Sequence, residues 1–253
     1  MARLFDDASS QYLSYASAVL SAVPISLACW FNTDNTAAEQ ELISICRSNA
    51  DHWHSLRASG SIGGDPIRAS TFDGGWNAAQ TTTGYSANTW HHACGVWAAA
   101  DSRSAYIDGG SKHTQTSSRT PTSLDLTYIG ANEFSSSPTN YMSGSIAEVG
   151  IWNVALTDAE VAILAKGYSP LFVRPQSLVL YIPLIRDNDE DLIGGLSFTA
   201  NGSPTVSAHP RVFYPSVPIY RMGATGEAPT EEEKILYSKL IRSNQIPIHQ
   251  LQL

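Results

Sequence analysis

The stretch Thr89–Gly110 constrains the fold more than any other part of the sequence. From Trp90 to Ala98 the side chains alternate between two faces, and this period of two is typical of a β-strand. A turn at 100–102 then leads into a second strand at Arg103–Ile107. Asp108-Gly109-Gly110 supplies the positive φ that a tight hairpin requires. The stretch therefore predicts the middle of a β-meander.

The same residues resemble the central hairpin of laminin-G-like domains, which belong to the concanavalin A-like jelly rolls. The resemblance rests on Trp90-His91-His92, on Gly95-Val96 and on Tyr106-Ile107-Asp108-Gly109. A second match runs from Gly144 to Thr157, where the family has a last core strand that leads into a short helix. Covering Ala2 to Pro183, the resemblance implies an all-β, two-sheet antiparallel jelly-roll sandwich. It says little about function, because one sandwich serves many functions.

Apolar runs at regular spacing predict the other strands of this sandwich. Ile25 to Phe31 alternates as a core strand, with Trp30 on the opposite face. Two stretches rich in turn residues are predicted to be loops, Asp73–Asn77 around Trp76 and the polar segment Asn132–Asn140. The remaining strands are expected at Ala2–Phe5, Tyr12–Tyr15, Leu42–Arg47, Trp53–Ala58, Ile67–Phe72, Leu124–Ala131, Ser145–Trp152 and Ser177–Leu184, the last of which we expect to pair near the N-terminus.

One short helix is predicted at Thr157–Lys166. Thr157 is the expected N-cap and Glu160 completes a capping box. Leu156 and Val161 form a hydrophobic staple, and Gly167 ends the helix.

The chain divides into three predicted parts. Residues 1–184 form the laminin-G-like sandwich, and residues 185–215 form a strand-rich extension packed on it. This extension includes an edge strand at His209–Pro215, between prolines. Residues 216–253 comprise a linker, a helix capped by Thr230 and a docking tail. The apolar stripe expected to dock consists of Ile235, Leu236, Leu240 and Ile241.

Charge and cysteine content narrow the class of protein. A net charge of −8 argues against nucleic acid and anionic membrane as partners. Cys29, Cys46 and Cys94 lie in predicted strands, which favours buried thiols in a protein made in a reducing host cytoplasm. A disulfide between two of them is the alternative. Val19–Phe31 is the one candidate targeting segment. Asp6 and Asp7 argue against the basic n-region of a signal peptide, and Pro24 and Asn32 bound the apolar run too tightly for a membrane span.

Two groups of histidines could suggest a metal site. His91 and His92 are adjacent in a strand and therefore point to opposite faces, so they cannot hold one ion together. His52 and His54 share a face, but no third ligand is recognisable. We therefore expect strand histidines that are packed or hydrogen-bonded.

An acidic run is the one candidate for calcium. Asp187, Asp189 and Asp191 alternate as the ligands of calcium loops do. Leu192 stands where such a loop needs a glycine, so a solvated acidic turn is the favoured interpretation. Calcium is the only cofactor left open.

Aromatic side chains in or near loops are candidates for carbohydrate binding, because aromatic faces stack on sugar rings. Trp76, between Gly75 and Asn77, is the residue expected to be most exposed. Core packing is the competing interpretation for each member of the set. The set consists of Trp76, Asn77, Trp53, Tyr85 and Tyr141.

Catalysis is not expected. A glycosidase of this superfamily would carry two or three carboxylates at alternate strand positions across a cleft, and no Glu-x-Asp-x-x-Glu run is present. The Gly-x-Ser-x-Gly and His-Glu-x-x-His motifs are absent as well.

Two functions remain. The first is a phage virion structural protein, located in the virion, whose lectin-like domain decorates or cements a head or tail surface and whose C-terminal arm docks on another virion protein. Its expected partners are capsid or tail proteins, surface glycans and further copies of itself. The alternative is a free carbohydrate-binding lectin module. The phage assignment is what the family resemblance implies. The missing signal peptide, the cytoplasm-type cysteines and the docking-type tail favour it over the free lectin.

Overall fold

A computed structural model of the chain describes residues 1–49, 51–185 and 189–215. Its strands form two antiparallel sheets in a jelly-roll sandwich, as predicted. The strands are β1 (Ala2–Phe5), β2 (Tyr12–Tyr15), β3 (Ile25–Thr33), β4 (Glu39–Cys46), β5 (His52–Ser59), β6 (Pro66–Asp73), β7 (Trp76–Gly84), β8 (His91–Ala99), β9 (Ser102–Ile107), β10 (Gly110–Gln115), β11 (Leu126–Ile129), β12 (Asn132–Phe134), β13 (Ser137–Thr139), β14 (Gly144–Trp152), β15 (Leu178–Ile182), β16 (Thr199–Asn201) and β17 (Thr205–Ser207).

The first sheet has the order β10-β9-β8-β3-β14-β1-β17, with β15 also paired to β14. The second sheet has the order β16-β2-β11-β4-β5-β6-β7. A separate hairpin is formed by β12 and β13. The predicted central meander is β8-β9-β10 at one edge of the first sheet.

The main hydrophobic core lies between the two sheets. On β3, Ile25, Leu27, Cys29 and Phe31 are all fully buried in it, which confirms the alternation read from the sequence. A second apolar cluster lies on the other side of the first sheet, around Trp152. Two short helices cover that cluster, α1 (Asp158–Ala165) and a 3₁₀ turn at Pro170–Phe172.

The local signals that predict α1 are confirmed. The Thr157 hydroxyl accepts a hydrogen bond from the Glu160 amide at 3.3 Å, and a Glu160 carboxylate oxygen accepts one from the Thr157 amide at 2.8 Å. Leu156 and Val161 are buried in the cluster beneath the helix. Gly167, with φ of +87°, lies just beyond the C-cap.

The N-terminal strands go to different sheets. β1 pairs with β14 and β17 in the first sheet, whereas β2 pairs with β11 and β16 in the second. The sequence predicts that β15 pairs near the N-terminus. It pairs instead with β14, on the same side as β1 but farther along β14, so that β15 and β1 lie end to end. The segment 189–215 contributes β16 and β17 to these edges.

Three sequence assignments are wrong. The predicted loop at Asp73–Asn77 is a tight hairpin, in which Gly74 has φ of +94° and Trp76 already belongs to β7. The predicted loop at Asn132–Asn140 holds the β12–β13 hairpin. The predicted edge strand at His209–Pro215 makes only a single parallel bridge, between Tyr168 and Phe213.

The three cysteines are free and buried, as expected. Burial raises the pKa of each thiol above its ordinary value. The docking residues Ile235, Leu236, Leu240 and Ile241 and the Thr230 cap lie outside the described residues.

Candidate functional site

The surface of the second sheet that points away from the core carries three rows of side chains, which cross the strands β4 to β7. Directly opposed cross-strand partners lie on the same face of a sheet, so the register identifies the neighbours. We call this surface the outer face. Its first row is aromatic (Trp53, Phe72, Trp76), its second is small and polar (Ser44, Ser55, Ser70), and its third is charged (Glu41, Arg57, Arg68).

The aromatic row changes from buried to exposed along its length. Trp53 is 4% exposed and stacks on Phe72, with ring centroids 4.7 Å apart. Phe134 of the β12–β13 hairpin approaches Trp53 edge-on at 6.1 Å. Trp76, at the far end, is 41% exposed. The exposure expected of Trp76 is therefore present, although it comes from a strand end rather than a loop.

Trp76 lies over the charged row. Its ring centroid is 3.7 Å from Cζ of Arg68 and 5.9 Å from Cζ of Arg57. Phe72, the cross-strand partner of Trp76, is four residues from Arg68 on β6, with Ser70 between them. The side chains of Trp76 and Arg68 therefore reach toward each other along the sheet to make this contact. This arrangement is a cation–π contact, which fixes the indole on one side and leaves its other side toward solvent.

The charged row is buried and paired unequally. Arg57 forms an ion pair with the fully buried Glu41 and donates to the Ser55 hydroxyl at 3.1 Å. Glu39 lies 3.9 Å from both Arg57 and Arg68. Burial raises the pKa of Glu41 to about 7 despite the neighbouring Arg57, and burial lowers the pKa of Arg68 to about 10.

The structure brings together some of the predicted sugar-binding residues and separates others. Trp76 and Trp53 share the outer face. The half-buried Tyr141 packs against the apolar cluster that contains Trp53, and its ring lies 5.9 Å from the ring of Tyr12. Tyr85 instead lies in the core between the sheets, 5% exposed and packed against Phe31.

Asn77 is also separated from the aromatic row. It is the cross-strand partner of Thr71, whose hydroxyl accepts a hydrogen bond from the core residue Trp97 at 2.9 Å. Asn77 therefore lies on the opposite face of β7 from Trp76.

The two described aspartates of the predicted calcium loop have other partners. Asp189 binds Arg3 through both oxygens, at 2.8 and 2.5 Å. Asp191 is fully buried and accepts hydrogen bonds from the backbone amides of Tyr181, Ile193 and Gly194. Asp187 lies outside the described residues. In the described part of the chain, no three His, Cys, Asp or Glu side chains are grouped as metal ligands.

The adjacent strand histidines are packed or hydrogen-bonded, as predicted. His91 contacts the Asp108 carboxylate at 2.7 Å, whereas His92 lies on the other face, 2% exposed and edge-on to Trp30. Burial lowers the pKa of His92 to about 4.

The second histidine pair is similar. His54 is 2% exposed and lies 3.2 Å from the Thr71 hydroxyl. Burial, reinforced by Arg103, lowers the pKa of His54 to about 3. His52 accepts a hydrogen bond from the Thr122 amide at 3.0 Å.

The charged row is absent from the residues predicted for the site. Glu41, Arg57 and Arg68 are far apart in the sequence and become neighbours only through the register of β4, β5 and β6. The one signal that could have revealed them is a charged residue at an outward position in each of three consecutive strands.

Among the described residues, no helix is long and apolar enough to cross a membrane. The sequence matches no curated protein. It does match the family model of the concanavalin A-like lectin/glucanases superfamily over residues 7–162, which is more than half of the chain.

Solved structures with the same fold come from distant sources. A heptameric SAP-like pentraxin from Limulus polyphemus is 17% identical with a TM-score of 0.59, covering 79% of this chain and 89% of the pentraxin. A candidate carbohydrate binding protein from Bacteroides ovatus is 18% identical with a TM-score of 0.59, covering 81% of this chain and 61% of that one. Domain 4 of AbnA, an extracellular GH43 arabinanase from Geobacillus stearothermophilus solved with arabinotriose, is 20% identical with a TM-score of 0.52, covering 61% of this chain and 72% of that one.

At these identities the likeness shows the fold, and the family match over residues 7–162 shows the kinship. Both agree with the two-sheet sandwich and with the residues of the central hairpin. The chain therefore belongs to the concanavalin A-like lectin/glucanases superfamily.

Proposed function

We propose that this chain is a carbohydrate-binding module that holds sugars on the outer face, with Trp76 as the stacking platform. The observation that carries the proposal is the position of this indole. Trp76 is 41% exposed, while Arg68 beneath it fixes the plane of the ring. An aromatic face held flat toward solvent suits the apolar face of a pyranose or furanose ring.

The surroundings of Trp76 support a polar ligand. The serine row is fully buried, but two partly exposed polar side chains lie near the indole: Glu39, which is 3.9 Å from Arg68, and Gln80, the cross-strand partner of Arg68. Hydrogen-bonding groups therefore border an apolar surface. Binding sites for small molecules combine these two properties, with aromatic walls and a few placed polar groups.

We propose binding without catalysis. Glycoside hydrolysis requires two carboxyl groups that reach the same glycosidic bond. On the outer face, Glu41 is fully buried and paired with Arg57, and Glu133 is 5% exposed with its carboxylate accepting from the Tyr128 hydroxyl at 3.1 Å. Glu39 is partly exposed, but its oxygens accept hydrogen bonds from the Ser59 and Ser61 hydroxyls and lie near Arg57 and Arg68. The buried Glu41 cannot serve as its second carboxyl group at a bound sugar.

The direct test is the affinity of the full chain and of Trp76→Ala for a panel of oligosaccharides that begins with arabinotriose, measured by isothermal titration calorimetry. Loss of the stacking surface should cost roughly 1–3 kcal/mol of binding free energy. Phe172→Ala is the matched control, because Phe172 is an aromatic side chain with 46% exposure at the end of the 3₁₀ turn, away from the outer face. Unchanged affinity of Trp76→Ala for a sugar that the wild type binds would contradict the proposal.

The virion assignment remains a prediction from the sequence. It depends on the C-terminal arm, which lies outside the described residues. Deletion of Thr230 to Leu253 is expected to leave a folded sandwich that no longer joins its assembly. Incorporation of the truncated chain into virions at the normal level would contradict this assignment.

A further inference from the structure

We propose that the sugar bound on the outer face carries an anionic substituent, a carboxylate or a sulfate, which the guanidinium of Arg68 receives. The inference rests on the proposed function and names the class of ligand. It starts from an unusual property of Arg68 rather than from Trp76.

Arg68 is buried without hydrogen-bond partners. The residue is 8% exposed, and its guanidinium makes no hydrogen bond within the described part of the chain. Its single ion contact is Glu39 at 3.9 Å, which is too long for a hydrogen bond. A guanidinium offers five N–H donors, and buried polar groups are nearly always paired. Nε of Arg68 is buried without an acceptor, and its two Nη groups, which are not fully buried, make no hydrogen bond to the described residues, so they are free to donate to a ligand.

The other buried arginines show the contrast. Arg3 donates to the Asp189 carboxylate, Arg57 to Ser55, and Arg103 to the backbone carbonyls of Ala100 and Ser117. Each of them is therefore held within the fold by at least one hydrogen bond, although Nε of Arg57 and both Nε and Nη1 of Arg103 are also buried without an acceptor. Arg68 differs from them in this respect and is the one of the four that lies directly beneath the exposed Trp76.

The geometry leaves the donors of Arg68 accessible to a ligand of Trp76. Cζ of Arg68 lies 3.7 Å from the centroid of the indole, and the N–H donors of a guanidinium point outward in its plane. A sugar ring on the solvent side of Trp76 can therefore pass a substituent over the edge of the indole to these donors. Carboxylate and sulfate oxygens accept two parallel hydrogen bonds from an arginine fork, which a neutral hydroxyl does not.

The local charge balance permits an anion there, although the chain as a whole is acidic. Arg57 and Arg68 face Glu39 and Glu41 in the charged row, so the cluster is neutral when every group is ionised. Burial raises the pKa of Glu41 to about 7, which adds partial positive character near neutral pH. The net charge of −8 repels an anionic ligand only over a distance, and salt screens this repulsion. The hydrogen bonds from Arg68 act at contact and are not weakened in the same way.

The first experiment compares trigalacturonate with its methyl ester on the full-length chain by calorimetry. The two probes share ring shape and differ in charge. We expect the acid to bind roughly tenfold more tightly or better, as a charge-assisted hydrogen bond predicts. A galactose-6-sulfate disaccharide and its unsulfated parent form the second pair, and the larger preference identifies the anion.

The second experiment assigns the preference to Arg68. Arg68→Gln should bind acid and ester equally, and Arg68→Lys, which keeps the charge and loses the fork, should fall between Arg68→Gln and the wild type. Arg211→Gln is the control, because Arg211 lies over Phe213 away from the outer face and should keep the full preference.

The outcomes separate this inference from the proposed function. If both acidic probes bind no better than their neutral partners while Trp76→Ala weakens both, Arg68 does not select an anion and the stacking site stands. A preference that persists in Arg68→Gln also overturns the inference. If no probe or neutral sugar binds, the proposed function fails and this inference fails with it.

Discussion

Glu148 is the residue whose environment departs furthest from what its type prefers. It is 2% exposed, has φ of +57° and lies at the irregularity of β14 between Ala147 and Gly150. Its carboxylate accepts hydrogen bonds from the hydroxyls of Tyr181 at 2.7 Å and Tyr214 at 2.6 Å. The extra residue of a bulge turns this side chain away from the core and toward the two tyrosines.

Replacing Glu148 by Ala should destabilise the fold by about 3 kcal/mol or more, since the buried hydroxyl of Tyr181 and the hydroxyl of Tyr214 lose their acceptor and His209 loses its 3.3 Å contact with the carboxylate. Glu148→Gly loses the same bonds but relieves the positive φ, so it should be more stable than Glu148→Ala by about 1 kcal/mol. Urea unfolding of the three proteins gives both differences. Equal stability of the Ala and Gly variants would show that the backbone at this position carries no strain.

Single residues were predictable where exposure follows from neighbours in the sequence. Trp76 is flanked by glycine and asparagine, and its exposure was anticipated on that ground alone. Tyr85 has similar neighbours but is buried against Phe31, because it lies at the end of a strand whose inner face closes the core. The sequence could place Arg68 on an outward strand position, but not show that it lacks hydrogen-bond partners, because that depends on which side chains surround it in space.

At the scale of single elements, α1 is the best-specified part of the chain. Thr157 and Glu160 bond each other reciprocally, and Glu160 also pairs with Arg174. The helix covers the second apolar cluster, so its start fixes the position of Val161 and Leu164 over Trp152.

Thr157→Ala should lower the free energy of unfolding by about 1 kcal/mol, because the first-turn amide of Glu160 loses its acceptor. Thr157→Ser keeps the hydroxyl and should retain most of the stability. Thermal unfolding followed by circular dichroism is a suitable measurement. A Ser variant as unstable as the Ala variant would indicate that the lost methyl group, rather than the cap, is responsible.

Strands whose apolar residues alternate could be predicted from the sequence. Strands that are held only by hydrogen bonds to a neighbouring strand could not. Most of β7 carries small and polar residues, and its order comes from the ladder to β6. The β12–β13 hairpin contains serines and a proline and is recognised only from its register. Conversely, the apolar stretch around Phe213 has strand-like composition but no neighbouring ladder beyond one bridge.

At the scale of the whole molecule, the family resemblance predicted the two sheets but not the connections at their edges. Sequence patterns do not show that β1 and β2 separate after one turn, since both have the same period. The short strands β16 and β17 complete those edges from a segment far along the chain. Long-range edge pairing depends on competition between many similar strands, which local residue patterns do not resolve.

The ionisable groups buried throughout the sandwich set how stability depends on pH. In the native state burial lowers the pKa of His54 to about 3 and that of His92 to about 4, from an ordinary value of 6.5. Between pH 6.5 and 4.5 the unfolded chain therefore takes up protons on both histidines, which favours unfolding as pH falls. Glu41 opposes this, because its native pKa of about 7 exceeds its ordinary 4.5, so in the same range the native state holds an extra proton.

The balance of two histidines against one glutamate leaves the unfolded state with about one more bound proton in this window. Near pH 5.5 the free energy of unfolding should then decrease by about 1.4 kcal/mol for each pH unit, and the slope should be shallower near pH 6.5, where the raised pKa of His209 opposes it. His92→Phe keeps a ring beside Trp30 and removes one titration, so its stability should be nearly independent of pH in this range. Glu41→Gln removes the opposing group and should double the slope. Urea unfolding at half-unit pH steps measures all three slopes, and a flat profile for the wild-type chain would show that these buried groups do not govern its acid sensitivity.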